Sequence, residues 1–211
     1  MENHPLTEAE ITARVDALLA KMSLAEKIGQ LAQIGGADFV PGPKPAEIIR
    51  KGGAGSVLWL NDPRQFNALQ KIAVEESPSG IPLLFALDVI HGYRTIFPVP
   101  LAMASSWDPS VPEQAQRVAG REARAAGIHW TFAPMLDIAR DARWGRIVEG
   151  AGEDPYLGSA MAAAQVRGFQ GESLDDPESV LACAKHFAGY GYADGGRDYD
   201  PVYVPETTLR N

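Results

Sequence analysis

The segment Ile81-Pro-Leu-Leu-Phe-Ala-Leu-Asp88 is apolar throughout and ends on a carboxylate. A strand with one face in water would alternate polar and apolar residues, so an unbroken run means burial on both faces. Four other stretches are read as strands of the same kind: Gln30 to Ile34, Gly55 to Leu60, His129 to Leu136 and Val180 to His186. Helical patterns lie between them. Buried strands separated by helices predict an α/β fold with a parallel sheet covered by helices.

Helix boundaries are marked locally. Thr7 and Glu10 have capping-box spacing ahead of Ile11, Val15, Leu18, Leu19 and Met22, and Ser23 with Glu26 repeats it. Helices are expected over residues 64–76, over Pro112 to Ala126 closed by Gly127, and over Asp154 to Gln170 ending at Gly171. Asp154 precedes Pro155 and reads as a helix N-cap.

A doubly wound sheet and a β/α barrel both fit this alternation. Asp88, Asp137 and the pair Lys185-His186 all fall at C-terminal ends of expected strands, each before a polar, glycine-rich loop. Barrel enzymes keep their chemistry there. A doubly wound sheet follows a similar rule, so the barrel is favoured only modestly.

Composition excludes some functions. With 19 Lys+Arg against 27 Asp+Glu the formal net charge is -8, which argues against a non-specific grip on nucleic acid and suits a neutral sugar. The single cysteine, Cys183, permits no internal disulfide and reads as a buried core thiol. No apolar run approaches the roughly 20 residues of a spanning helix. The polar stretch from Met1 to Glu10 is unlike a secretory signal, so a cytoplasmic protein without membrane contact is expected unless a signal has been removed.

Several familiar sites are absent. Gly52-Gly-Ala-Gly55 follows a helix and precedes a strand, the reverse of a dinucleotide-binding turn. There is no Walker-type phosphate loop and no G-x-S-x-G elbow. Cys183 and His186 lack a second pair to complete a zinc site, so neither metal nor cofactor is expected.

What remains is a set of carboxylates and cations. Asp88 opens Asp88-Val-Ile-His91-Gly92-Tyr93-Arg94, where it can accept hydrogen bonds from two adjacent sugar hydroxyls or cap its loop. Arg140-Asp-Ala-Arg143-Trp144-Gly145-Arg146 places three guanidinium groups and an indole on one loop, with Glu149, Glu153 and Asp154 near enough to pair with them. Trp144 can offer a face to a sugar ring or pack under that loop. Lys185 and His186 face opposite sides of a regular strand, so they reach one ligand only where the pleat breaks.

Four segments, Leu87 to Arg94, Arg140 to Arg146, Glu149 to Pro155 and Ala184-Lys185-His186-Phe187, resemble successive signatures of family 3 glycoside hydrolases. They stand in the expected order and cover the chain from about Ser23 to its end. The Asp-Val-Ile-His-Gly-Tyr-Arg version resembles bacterial broad-specificity β-glucosidases. The resemblance implies a (β/α)8 TIM barrel, with residues 1–211 forming its N-terminal portion and about five of eight units present. It implies a retaining exo-β-glucosidase acting on terminal β-D-glucosyl residues of glycosides or short oligosaccharides.

Residue by residue, the resemblance implies that Asp88, Arg143, Lys185 and His186 hold the hydroxyls of the terminal sugar. Arg94, Trp144, Glu149 and Asp198 are further candidates. The family nucleophile motif, Ser-Asp-Trp or Ser-Asp-His, is not in this sequence, and the acid/base normally comes from a following α/β domain. Both are expected downstream, leaving this chain sugar-positioning residues but no catalytic ones, with the rest of the same protein as a candidate partner. The loop from Gly191 to Tyr199 lacks the Asp-Ser-His of related acetylglucosaminidases. Another exo-β-glycosidase, such as a xylosidase, and a non-catalytic sugar-binding fragment are the alternatives.

Overall fold

A computed structural model describes residues 6–36 and 44–210. The chain divides into two compact units, residues 1–87 and 88–211.

The first unit opens with α1 (Glu8–Leu19) and α2 (Leu24–Leu31). Both capping boxes form: Thr7 N donates to the Glu10 carboxylate and Ser23 N to that of Glu26, each at 2.8 Å, and each glutamate N–H donates back to the capping hydroxyl at 3.3 Å. β1 (Gln33–Gly35), α3 (Pro45–Arg50), β2 (Ser56–Leu58), α4 (Pro63–Glu75) and β3 (Leu84–Leu87) follow. The three strands pair in parallel, β1 with β2 and β2 with β3. α4 packs Phe66 against Phe85 of β3 with ring centroids 4.7 Å apart. Gln70 of α4 ties down the entry to β3, accepting from Leu83 N at 2.7 Å and donating to Leu83 O at 3.1 Å.

Two expectations shift in this unit. The stretch from Gln30 starts as the end of α2, and strand pairing begins only at Gln33. An apolar run behind a capping box is ambiguous between helix and strand, and here the box carries the helix further. The short α3 adds a helix to the expected set.

The second unit contains α5 (Pro100–Ala104), α6 (Ser110–Ala126), β4 (Trp130–Thr131), α7 (Pro155–Gln170) and α8 (Glu206–Leu209). α6 ends on Gly127 at φ 103°, a left-handed conformation that costs glycine least. Asp154 caps α7, its side chain accepting from Leu157 N at 2.9 Å. α6 and α7 meet through small residues, with Ala119, Ala123 and Ala164 fully buried. At their contact Gln116 reaches Ile90 O at 2.8 Å.

The expected strand from His129 to Leu136 is regular only over β4, and residues 180–186 form isolated parallel bridges, Trp130 with Leu181 and Met135 with Lys185. Backbone bonds nonetheless continue between the two segments. Leu181 N donates to His129 O at 2.9 Å, Cys183 N to Ala133 O at 2.9 Å, and Lys185 N to Pro134 O at 3.2 Å. The first segment advances one residue further than the second between the bridges, as at a β-bulge. Pro134 has no N–H for a ladder bond, which explains where regularity is lost. The extra residue lies in the first segment, whereas Leu181, Cys183 and Lys185 keep their alternate N–H groups turned toward it. Cys183 is half-buried rather than a fully buried core thiol, because this irregular segment covers it incompletely.

Among the described residues no helix is long and apolar enough to cross a membrane.

Candidate active site

The chain passes directly from β3 into Asp88, and the next residue, Val89, is buried with its N–H donated to Thr131 Oγ1 at 3.2 Å. That anchor fixes where the Asp88 carboxylate emerges. Asp88 Oδ1 lies 2.9 Å from Lys185 Nζ, joining positions 97 residues apart. The ammonium side chain is 11% exposed and the carboxylate 38%. Asp88, His91 and Glu149 line a cavity of about 270 Å³ beside this pair. His91 is held by its own loop, Nδ1 lying 2.7 Å from Phe97 O.

His186 turns to a different carboxylate. Its backbone N–H and its Nδ1 both meet Asp137 Oδ2, at 3.0 and 2.8 Å. A carboxylate engaged in this way only accepts, so Nδ1 carries the hydrogen and Nε2 is left to meet a ligand. Asp137 is buried, and with His186 and Arg140 it lines a second cavity of about 250 Å³. Lys185 and His186 thus emerge on two separate carboxylates.

Two loops build the wall around His186. Trp144 is 1% exposed, and its Nε1–H donates to Asp198 Oδ1 at 2.9 Å. The Tyr190 hydroxyl donates to the same oxygen at 2.6 Å. The Tyr190 ring meets Trp144 edge-on at 5.2 Å and His186 edge-on at 4.8 Å. Arg146 lies over that ring at 5.5 Å and pairs with Glu149 at 2.7 Å. A cation over an aromatic face and an ion pair sheltered from water reinforce each other.

The electrostatics follow from these contacts. Burial pushes the Tyr190 phenol up to about 12, helped by the bond to Asp198, so the hydroxyl remains a donor at any ordinary pH. Burial raises the Asp198 carboxyl, but the Tyr190 and Trp144 hydrogen bonds outweigh it and hold the group below its usual range. Hydrogen bonding to Glu149 raises Arg146 further.

Arg143 turns to a third carboxylate. Its guanidinium is 73% exposed and grips Asp141, Nη2 to Oδ2 at 2.6 Å and Nε to Oδ1 at 2.9 Å. The Arg143 hydrogen bonds hold the Asp141 carboxyl down at about 2. A lowered carboxyl pKa means the pair is complete above the ordinary carboxylate range and is lost only as pH falls toward about 2. Arg94 is exposed, and its backbone N–H is held by Glu122 at 2.9 Å.

The structure therefore brings Asp88 and Lys185 into contact, sets Glu149 at the edge of their cavity, and gives His186 its own partner. It leaves Arg143 and Arg94 on the surface. Trp144, expected to meet a sugar or to pack under its loop, does the second, because a buried ring has no face open to a ligand. Asp198 serves as the acceptor that joins Trp144 to Tyr190. Of the acids expected to pair with the arginines of this loop, Glu149 does so with Arg146, whereas Asp154 caps α7. Asp141, two residues from Arg143, is an arginine partner that the loop's acids after residue 146 do not include. Nothing local in the sequence distinguishes Tyr190 from Tyr192, and only the fold gives it a role. Asp137, a strand-end carboxylate in the sequence, acquires its role from His186. Among the described residues no cluster of side chains is arranged to hold a metal ion.

Comparison with known proteins gives a consistent picture. Residues 23–211 match the glycosyl hydrolase family 3 N-terminal domain. The chain is 41% identical over 209 residues to a periplasmic β-glucosidase of Salmonella typhimurium, covering 99% of this chain and 27% of that protein. It is 36% identical to a putative β-xylosidase of Formosa agariphila, covering 94% of this chain and 29% of the relative. A crystal structure of a Listeria innocua β-glucosidase superposes with a TM-score of 0.85 at 38% identity, over 94% of this chain and 29% of that one. That enzyme has also been crystallised with glucose, isofagomine and, as a mutant, laminaribiose. The chain thus spans less than a third of the length of these relatives.

Proposed function

The chain belongs to glycoside hydrolase family 3 and forms part of its (β/α)8 barrel, and from that premise we propose that it carries the sugar-positioning half of a retaining exo-β-glucosidase. The observation that carries this reading is the Asp88–Lys185 pair, held at 2.9 Å beside an open cavity. An ammonium has three donors and a carboxylate about four acceptor positions, so the pair can stay joined and still bind hydroxyls. Asp88 accepts from adjacent hydroxyls of the terminal glucose, Lys185 donates to one of them, and His186 offers Nε2. Arg143 uses Nε and Nη2 on Asp141 and keeps Nη1 for the substrate. These contacts fix the ring and strengthen as it flattens toward the transition state. The Listeria enzyme's complexes with glucose and laminaribiose support a glucosyl ligand.

A retaining hydrolase needs a nucleophile and an acid/base with carboxyls about 5–5.5 Å apart. The acids around this site are committed otherwise: Asp88 to Lys185, Asp137 to His186, Asp141 to Arg143, Glu149 to Arg146, and Asp198 to Trp144 and Tyr190. Held as acceptors, they suit positioning. We therefore assign residues 1–211 to the N-terminal portion of the barrel domain and place both catalytic carboxylates elsewhere in the protein.

The test is a panel of aryl β-glucoside, β-xyloside and N-acetyl-β-glucosaminide, offered to the whole protein and to the 211-residue polypeptide. The whole protein should prefer the glucoside, and the short polypeptide should release no product. Robust turnover by the short polypeptide would make one of these paired acids the nucleophile. A preference for the xyloside would support the alternative raised by the Formosa relative.

A further inference from the structure

Resting on the glucosidase reading, we propose that Gln116 is a positioning residue: from the core it holds the Asp88 loop in the conformation that presents the carboxylate to the sugar. The buried face of α6 is otherwise built of alanine, glycine and Pro112, and Gln116 interrupts it with a fully buried amide. A buried amide is costly unless it is hydrogen-bonded. Gln116 makes one short bond, Nε2 donating to Ile90 O at 2.8 Å, and a longer one to Gln165 Oε1 at 3.4 Å. Its own Oε1 is buried and meets no donor of the protein among the described residues. An apolar side chain of the same length would fill this space without burying that oxygen. What the amide secures is the Ile90 carbonyl.

Ile90 lies two residues beyond Asp88 and lines the same cavity of about 270 Å³. Each residue after Asp88 is tied to a different part of the fold. Val89 N donates to Thr131 Oγ1 at 3.2 Å, Ile90 O accepts from Gln116, and His91 O accepts from Phe97 N at 2.8 Å. The Gln116 tether is itself confined. Gly168 of α7 comes so close that a Cβ there would lie 2.8 Å from Gln116 Cβ. A side chain wedged in this way has little room to change rotamer, so the carbonyl it holds is fixed with it. Asp88 emerges directly before these three anchors, and hydrogen bonds to sugar hydroxyls lose their value when a loop drifts.

The test is a double-mutant cycle in the whole protein, read as kcat/KM on 4-nitrophenyl β-glucoside. Gln116→Met keeps the length and removes the donor. It should lower kcat/KM about two- to tenfold in the wild-type background, the range of one neutral hydrogen bond. In the Asp88→Ala background the loss should be less than about twofold, because a tether acting through Asp88 has nothing left to place. Gln116→Leu, which also lacks the donor, should repeat both results. Phe169→Leu lies in the same helix contact, against Gly120, and should lower the melting temperature while leaving kcat/KM unchanged.

Equal losses in the two backgrounds would overturn the proposal, as would no loss in either. The same loss from Phe169→Leu would also overturn it, since any softening of the α6–α7 contact would then suffice. Failure of both Gln116 variants to fold would return the amide to a purely structural role. A wild-type protein that cleaves no aryl β-glucoside would overturn the glucosidase reading itself, and this inference with it.

Discussion

Replacing Asp88 with alanine in the whole protein is expected to lower kcat/KM on an aryl β-glucoside by about ten- to a hundredfold or more. The truncation removes a charged acceptor for sugar hydroxyls, worth on the order of 1.5–3 kcal/mol, and each 1.4 kcal/mol is about a factor of ten. It also leaves the Lys185 ammonium, 11% exposed, without its carboxylate at 2.9 Å. The freed ammonium then competes for neighbouring acceptors and adds to the loss. Stability should suffer much less, because the Asp88 side chain is more than a third exposed and screened by water. Asp88→Asn should recover part of the deficit, since an amide oxygen still accepts but without the charge. Near-wild-type kinetics for Asp88→Ala would remove it from the site.

The second large effect concerns Trp144. Trp144→Ala is expected to destabilise the protein by about 3–5 kcal/mol, the usual cost of emptying a buried aromatic site. The indole is among the largest fully buried side chains and packs with Met135, Ala139, Ile147 and Tyr190. Its loss also strips Asp198 of a donor and removes the edge contact that steadies Tyr190 against His186. Activity should therefore fall with stability. Trp144→Phe keeps most of the apolar surface and loses only the N–H, so its cost should be clearly smaller. Urea unfolding of the three proteins measures this. A change under about 0.5 kcal/mol for Trp144→Ala, as at a surface position, would mean the loop does not rest on this ring.

Those two residues show what the sequence displayed and what it concealed. Helix starts and stops were legible because their chemistry is local. Thr7 with Glu10, Ser23 with Glu26, Asp154 and Gly127 each act within one turn of their own helix. Asp88, Lys185 and His186 were legible as strand-end polar groups following apolar runs. Their pairing was not, since Asp88 and Lys185 lie 97 residues apart. The role of Trp144 depends on Asp198, 54 positions away, and periodicity has no means of linking two loops. Tyr190 was invisible for the same reason. The interrupted strand after β4 was partly foreseeable, because Pro134 withholds a ladder donor wherever the partner strand lies.

The most direct test of the central claim, that Asp88, Lys185 and His186 hold the terminal glucose, is a crystal structure of the whole protein with glucose bound. The account predicts an Asp88 carboxylate oxygen, Lys185 Nζ and His186 Nε2 each within about 3.2 Å of a ring hydroxyl. A glucose bound with none of these three atoms in reach would contradict it.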